Sequence, residues 1–441
     1  MFDYKIDVLN LEWPQSERDR HIITPVYLYL REKYKLIVKS ESVFNGYFYL
    51  LKYRPKLLVI SNSVGADINF SISKTAYQMG IKTVSLISEG NIVAEEQIDE
   101  FFWGWNKEKI LYEDGKILWS SRSKDVFLKK YPELSNKLYV SGGTGFDRYR
   151  LCKFIDKESF LLKNNLGDHK KIIGIAGWAF DIFFTKERLE FYKSLFTESF
   201  NDERIFEIHR NNLFLVREIY RKLIKENKDT FFILRYHPRV MNFEKTEFWG
   251  LENFENVYVS NPAKQQNNDD ISDLINTSDL WIGYSSTTLL EAWLLGKTTF
   301  LINPTSPDFI RDNICKGSPI TSNYPEAQEF IEAFFENGKI EEFEALKNMR
   351  KKIIKDVIEY DDGKNHIRAA EIIYKIFSEK NERTKRIKYN NFPLVAMLKQ
   401  FLSFELDKFF KRRNYDIDSE INHYESLYLP VIKNEISENG K

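Results

Sequence analysis

Short runs of aliphatic and β-branched residues, separated by longer amphipathic stretches, recur along this chain in two series, and no other feature of the sequence limits the fold as tightly. The first series reads "YKIDVLNL", "YKLIVKS", "PKLLVISNS", "KTVSLISEG" and "KLYVSGG". Buried runs alternating with helical spacing predict parallel strands joined by crossover helices. One such helix is "DINFSISKTAYQMG", which stops at Gly80, a residue type suited to a helix C-terminus. The pattern restarts at "KKIIGIAGW", passes through the helical "NLFLVREIYRKLIKEN", and continues with "DTFFILRYHP", "ENVYVSNP", "SDLWIGYSS" and "KTTFLINP". Between the series, "LCKFIDKESFLLKNNLGDHK" is polar and charged. These features predict an α/β chain of two domains, 1–155 and 165–378, followed by a helical tail, 379–441. A length of 441 residues agrees, since one core rarely serves more than about 250–300.

Sixty-five basic residues balance sixty-five acidic ones, so no global charge argues for nucleic acid as a partner. Cys152 and Cys315 are the only cysteines, which supports neither a disulfide framework nor a cysteine zinc site and suits a reducing compartment. The first residues, "MFDYKIDVLNLEWPQSERDR", do not read as a secretion signal, and no apolar run approaches the ~20 residues of a membrane span. The expectation is a cytoplasmic protein that is soluble or held at the inner face of the membrane.

The tail departs from this neutrality. Residues 380–413 contain ten Lys or Arg against three acids, a net +7. Within them "FPLVAMLKQFLSFELDKFF" places Leu394, Met397, Leu398, Phe401, Leu402, Phe409 and Phe410 near one helical face. Two readings are open: a helix packed on the body, or peripheral membrane contact through residues 380–413.

The candidate chemistry lies at strand ends. "FFILRYHP" delivers Arg235 and His237 to the carboxyl end of a strand, and Pro238 ends the ladder there. "LWIGY" ends in Ser285, Ser286, Thr287 and Thr288, followed by the helical "LLEAWLLG". Hydroxyls and unpaired N–H groups at a helix start suit a phosphate, although Ser and Thr are also ordinary helix caps. Glu291 falls where a side chain would reach a ribose, and Gly296 closes the helix. Gly177, in "IAGWAF", follows the first strand of the second domain. No acidic pair is placed for a divalent cation; "NNDDISD" reads as caps and solvated surface. The expectation is binding without metal or cofactor.

This series, "RYHP" and "SDLWIGYSSTTLLEAWLLGKTTFLI", resembles the nucleotide-binding domain of GT-B glycosyltransferases. It is particularly similar to bacterial surface-carbohydrate enzymes of the sialyltransferase and Kdo-transferase type, with their His-Pro and Ser-Ser motifs. "YVSGGTGFDRYR" also resembles the Gly-x-x-x-Phe-Asp stretch closing the first domain in surface-carbohydrate biosynthesis proteins. Gly142, Gly143, Gly145, Phe146 and Asp147 match it, with Thr144 and Gly145 standing where Pro and Arg are expected. The resemblance implies two Rossmann-like domains facing across a cleft. It assigns the donor phosphate to His237, Ser285, Ser286 and Thr287, with Arg235 and Pro238 beside them, the ribose to Glu291, and a close nucleotide approach to Gly177. Glu89, before Gly90 in "KTVSLISEGNI", matches the acid of related CMP-sugar transferases and is the candidate catalytic base in the N-terminal domain, with Ser88 in place of their second acid. His237 is the second catalytic candidate; Asp99 and Glu100 are alternatives to Glu89.

The expected function is transfer of a sugar, preferably a CMP-activated acidic one, to a glycan or lipid-linked acceptor of the capsule or lipopolysaccharide. Three alternatives stand beside it: a CDP-activated polyol-phosphate transferase, a sugar-nucleotide epimerase, and a catalytically inactive nucleotide-binding subunit.

Overall fold

The computed structural model describes residues 6–438 apart from 14–16, 62–65, scattered positions between 94 and 107, 168–169, 196–202, 265, 268, 306–312, 382–391 and 410–416. The chain divides into two compact units. Met1–Cys152 and Lys355–Lys441 form the first, and Lys153–Ile354 the second.

The first unit holds a six-stranded parallel sheet of β1 (Ile6–Glu12), β2 (Val38–Ser42), β3 (Pro55–Ile60), β4 (Lys82–Leu86), β5 (Gly115–Leu118) and β6 (Leu138–Val140), in the order β2-β1-β3-β4-β5-β6. Successive residues of a strand face opposite sides, and here both sides are covered. Val8, Leu57, Val59, Val84 and Ile117 meet the helices Glu17–Tyr34, Asn365–Ser378 and Ile417–Glu438. Leu9, Leu11, Leu58 and Ile60 meet Tyr47, Leu50, Ile72 and Ala76 on the other side. This double burial explains why the strands read as continuous apolar runs rather than alternating ones. The exception is β5, "GKIL", too short and too polar at its start to be read as a strand.

The expected second domain extends to residue 378, but Ala369, Ala370, Ile373 and Ile376 are part of the first unit's core. The stretch "GGTGFD" seats this returning helix. Asp147 accepts the backbone N–H groups of Asn365 (3.2 Å) and His366 (2.6 Å), filling the unpaired donors of the helix start. Gly142 has φ +91, and a Cβ there would lie 1.9 Å from the Asn365 side-chain oxygen. Only glycine meets both requirements.

The tail is two helices, Leu394–Phe409 and Ile417–Glu438, both within the first unit. The second is fixed by His21 Nδ1 to Tyr428 Oη (2.6 Å), by Arg31 donating to both Glu425 oxygens (3.0 Å each), and by His366 Nε2 to Glu435 (3.0 Å). Among the described residues, no helix is long and apolar enough to cross a membrane.

The second unit holds a six-stranded parallel sheet of β7 (Lys171–Ala176), β8 (Thr230–Arg235), β9 (Val257–Ser260), β10 (Leu280–Gly283), β11 (Thr298–Ile302) and β12 (Ile320–Thr321), in the order β12-β11-β10-β7-β8-β9. Apolar residues recur at helical spacing along Glu203–Glu226, where Phe206, Leu213, Val216, Tyr220 and Leu223 are buried. His209 occupies a place in that stripe. The sheet order makes β7 the central strand between β10 and β8, so the residues leaving these three strands are neighbours.

Candidate functional site

At the carboxyl end of the second sheet the chain leaves β10 through Tyr284–Thr287, β7 through Gly177–Asp181 and β8 through Tyr236–Arg239. Adjacent strands are ~4.8 Å apart, so the hydroxyls after β10 and the imidazole after β8 flank the β7 exit at a separation of ~10 Å between strand axes. Ligands of open α/β sheets bind at such ends.

His237 is half-buried. Its Nδ1 accepts the backbone N–H of Arg239 at 3.2 Å, which puts the ring proton on Nε2 and makes that atom a donor. Burial, then the charges of Arg239 and Arg188, against Asp181, pull its pKa down to about 4. The ring is therefore a neutral donor at neutral pH.

Asp181 organises the loop around it. Its Oδ2 accepts the backbone N–H groups of Met241 (2.8 Å) and Asn242 (3.0 Å) and pairs with Arg188. Arg188 also donates to the Arg239 carbonyl at 2.8 Å. Glu247, buried in the same region, accepts the Trp178 N–H at 2.5 Å. Burial lifts its carboxyl to about 8 in spite of that bond, so it is largely uncharged at neutral pH. The loop thus holds the ion pair of Arg188 with Asp181 and, beside His237, the Arg239 charge.

Gly177 is explained by the protein itself. Its N–H donates to the Arg235 carbonyl (2.8 Å), and a Cβ would stand 2.7 Å from that oxygen and 3.1 Å from the His237 nitrogen. The glycine lets the β7 and β8 exits touch, which fixes the His237 backbone. Arg235 turns toward β9, donating to Ser260 Oγ at 2.7 Å. Pro238 is exposed at the turn.

The hydroxyl cluster is partly engaged. Ser285 is buried with its Oγ 3.8 Å from the Cys315 sulfur. Ser286 Oγ accepts the Thr288 N–H (3.2 Å) and bonds the Thr288 hydroxyl (2.8 Å), which also accepts the Trp281 indole N–H at 2.8 Å. Thr287 is exposed, and Glu291 is half-buried on the first turn of the short helix Thr288–Leu294. Ser286 and Thr287 are thus the hydroxyls at the surface of the strand end.

Behind them lies a group that motif reading missed. Tyr284 Oη meets His209 Nδ1 and the Asn212 amide, each at 2.9 Å, while the Trp178 ring packs on His209 and Tyr284 at 4.7 and 5.2 Å between centroids. The sequence signal was the histidine inside the apolar stripe of its helix. Asp181 had a weaker one, an acid within the aromatic run "WAFDIFF".

Glu89 belongs to the first unit, where it leaves β4 half-buried. Its loop is held by Trp119, whose indole N–H donates to the Ile87 carbonyl (2.8 Å) and whose ring fills the place of a Gly90 side chain. Ser123 Oγ donates to the Gly90 carbonyl at 2.8 Å. The alternative Asp99 is bonded by Tyr131 (2.7 Å), Lys130 (3.0 Å) and Lys109 (3.1 Å). Burial works against them, yet these bonds leave its pKa below the usual range, a poor property for a base. Glu100 lies outside the described residues. Among the described residues, no group of three or more His, Cys, Asp or Glu is placed to hold a metal ion.

No protein-family model matches the sequence. No curated protein does either. Solved structures do. A Listeria monocytogenes protein described as a UDP-N-acetylglucosamine 2-epimerase matches at a TM-score of 0.55 and 16% identity, over 87% of this chain and 100% of that one. The UDP-GlcNAc 2-epimerase of Neisseria meningitidis, bound to UDP-GlcNAc, gives 0.51 and 14%, over 84% and 100%. A variant of the wall teichoic acid polymerase TagF soaked with CDPG gives 0.50 and 14%, over 86% and 91%. At these identities the likeness is one of fold, and the fold is two Rossmann-like units of the GT-B class with a helical C-terminal extension.

Proposed function

We propose that the chain is a metal-independent GT-B glycosyltransferase of bacterial surface-glycan synthesis, with the donor nucleotide bound at the carboxyl end of the second sheet. The preferred donor is a CMP-activated acidic sugar, and the acceptor is a glycan or lipid-linked glycan on the cytoplasmic side of the membrane. The observation that carries this reading is His237: a neutral imidazole whose Nδ1 is occupied by the Arg239 N–H and whose Nε2–H is a fixed donor beside Arg188 and Arg239. Ser286 and Thr287 complete the phosphate site from the other side of β7, and Glu291 reaches the ribose. A phosphate gains donors there that need no reorganisation. Glu89 serves as general base toward the acceptor hydroxyl.

The test is titration of CMP, CDP and UDP into the wild type and His237→Ala. Loss of one hydrogen bond to a charged phosphate weakens binding by ~1.5–3 kcal/mol. Affinity unchanged for every nucleotide removes His237 from the site.

A second reading, epimerisation of a sugar nucleotide, is supported by the match to UDP-GlcNAc 2-epimerases at TM-scores of 0.55 and 0.51. Transfer of a polyol phosphate from a CDP-activated donor is supported by the TagF match at 0.50. Incubation of UDP-GlcNAc without acceptor separates the first from transfer: an epimerase changes the sugar, whereas a transferase leaves it intact. Product mass with CMP- and CDP-linked donors separates the other two.

A further inference from the structure

Two aromatic residues of the second unit, Phe214 at 49% exposed and Phe184 half-buried, share a surface with three cations. Spacings of four and three on the helix Glu203–Glu226 put Arg210, Phe214 and Arg217 on one face. The Phe184 and Phe214 rings meet edge to face, 6.1 Å between centroids. Lys245 Nζ stands 5.2 Å from the Phe184 centroid and the Arg217 guanidinium 5.7 Å from that of Phe214, both within cation–π range. Backbone carbonyls fix the two guanidinium groups: Arg210 Nε donates to Phe183 at 2.7 Å, and Arg217 donates to Glu244 at 2.7 Å and Thr246 at 3.0 Å. None of the three cations forms an ion pair among the described residues. This surface continues the loops that frame His237. Phe184 follows Asp181, which accepts the Met241 and Asn242 N–H groups, and Lys245 comes soon after the 73% exposed Met241.

We propose that this surface binds the acidic glycan being extended, with sugar C–H faces on Phe184 and Phe214 and carboxylates or phosphates on Arg210, Arg217 and Lys245; the proposal rests on the reading of this unit as a donor-binding domain. Both halves of the patch are needed to choose that partner. A small free anion would use the cations and leave the aromatic pair without a contact. A neutral sugar would use the rings and leave three cations unmatched. Guanidinium groups held in place by carbonyls present their remaining N–H groups to an acid at little entropic cost. Each transfer of an acidic sugar adds a negative charge to the acceptor, so a glycan already extended carries the charge that this patch complements. The protein as a whole is net zero, without the basic excess that draws nucleic acid.

The experiment is titration of the full chain with an oligomer of α-linked sialic acid, an oligomer of glycerol phosphate, a neutral glucose oligomer and oligothymidylate, at low and high salt, with CMP titrated separately into the same samples. The expected result is binding of an acidic glycan oligomer ~10-fold or more tighter than the neutral one, weakened by salt. Whichever acidic oligomer binds more tightly identifies carboxylate or phosphodiester as the acid. Phe214→Ala combined with Lys245→Gln is expected to weaken that binding ~10-fold or more. Neither side chain makes a hydrogen bond in the fold, so the variant keeps its melting temperature and its CMP affinity. If Phe214→Ala lowers the melting temperature, Lys245→Glu alone carries the test and must weaken the acidic oligomer. Binding of neither acidic oligomer, equal binding of the neutral one, undiminished binding by the double variant, or tighter binding of oligothymidylate each overturns the proposal. His237→Ala leaves oligomer affinity at the wild-type level whether or not CMP binding is lost, so a failed donor site and a failed glycan site show in different titrations.

Discussion

Burial moves Glu247 and His237, both beside the proposed phosphate site, toward their uncharged forms. The Glu247 carboxyl is lifted to about 8, which removes a negative charge that would oppose a phosphate at neutral pH, and the His237 imidazole is lowered to about 4, which leaves it a neutral hydrogen-bond donor. For Glu247 the sign follows from linkage: a folded pKa of about 8 above the unfolded value of ~4.3 means that stability falls as pH rises from about 4 to 8. Glu247→Gln keeps an acceptor for the Trp178 N–H without the charge. Its melting temperature is expected to match wild type near pH 4 and exceed it at pH 8.5; equal or lower values at pH 8.5 would mean that the carboxylate is stabilised there. As the proposed base, Glu89 faces a different demand, to come within hydrogen-bond reach of the acceptor hydroxyl. Glu89→Gln is expected to leave CMP affinity unchanged and cut turnover by ~10²- to 10⁴-fold, and a variant keeping more than about a tenth of wild-type turnover places the base elsewhere. His237 and Glu89 draw the eye in the sequence because each stands beside a Gly or Pro that ends an apolar run. Glu247 and Asp181 do not, since their meaning comes from backbone N–H groups that are distant in sequence.

Among elements, the strands were the most readable and the helices joining distant parts the least. Eight residues of "KTTFLINP" suffice to mark a buried parallel strand, but nothing in "NHIRAAEIIYKIFS" says which sheet it will cover. That choice is made by Asp147 and Gly142, more than two hundred positions earlier. His366 in this helix is buried between Asp147 (2.8 Å) and Glu435 (3.0 Å). Burial lowers its pKa, but bonds to the two carboxylates more than reverse this and raise it to about 9. A raised histidine stabilises fully below its unfolded pKa of ~6.5, and the contribution is lost as pH climbs through about 9; it is roughly 3 kcal/mol at most. Melting temperature is therefore expected to fall between pH 7 and 9.5 in the wild type and to fall less in His366→Gln, measured by calorimetry across that range. Parallel slopes would show that the imidazole is not charged in the fold.

For the whole molecule, alternation of strand and helix announces two parallel sheets, and the break near residue 150 announces two units. The return of residues 355–438 to the first unit is not announced, because an amphipathic helix fits either sheet equally well by composition. That return bears on the order of events at the ribosome. Ile22, Val26 and Tyr27 share one core with the strands of their own sheet and with Ala369, Ile373, Tyr428 and Ile432, so the first part of this unit is made long before its core can close. At about 5–20 residues per second, synthesis of the next 286 residues takes roughly 15–60 s. The second unit, contiguous in sequence, is complete first. The first unit is therefore completed only after the second, and through that interval the helix Glu17–Tyr34 lacks the cover that Ala369, Ile373, Tyr428 and Ile432 give it in the finished fold.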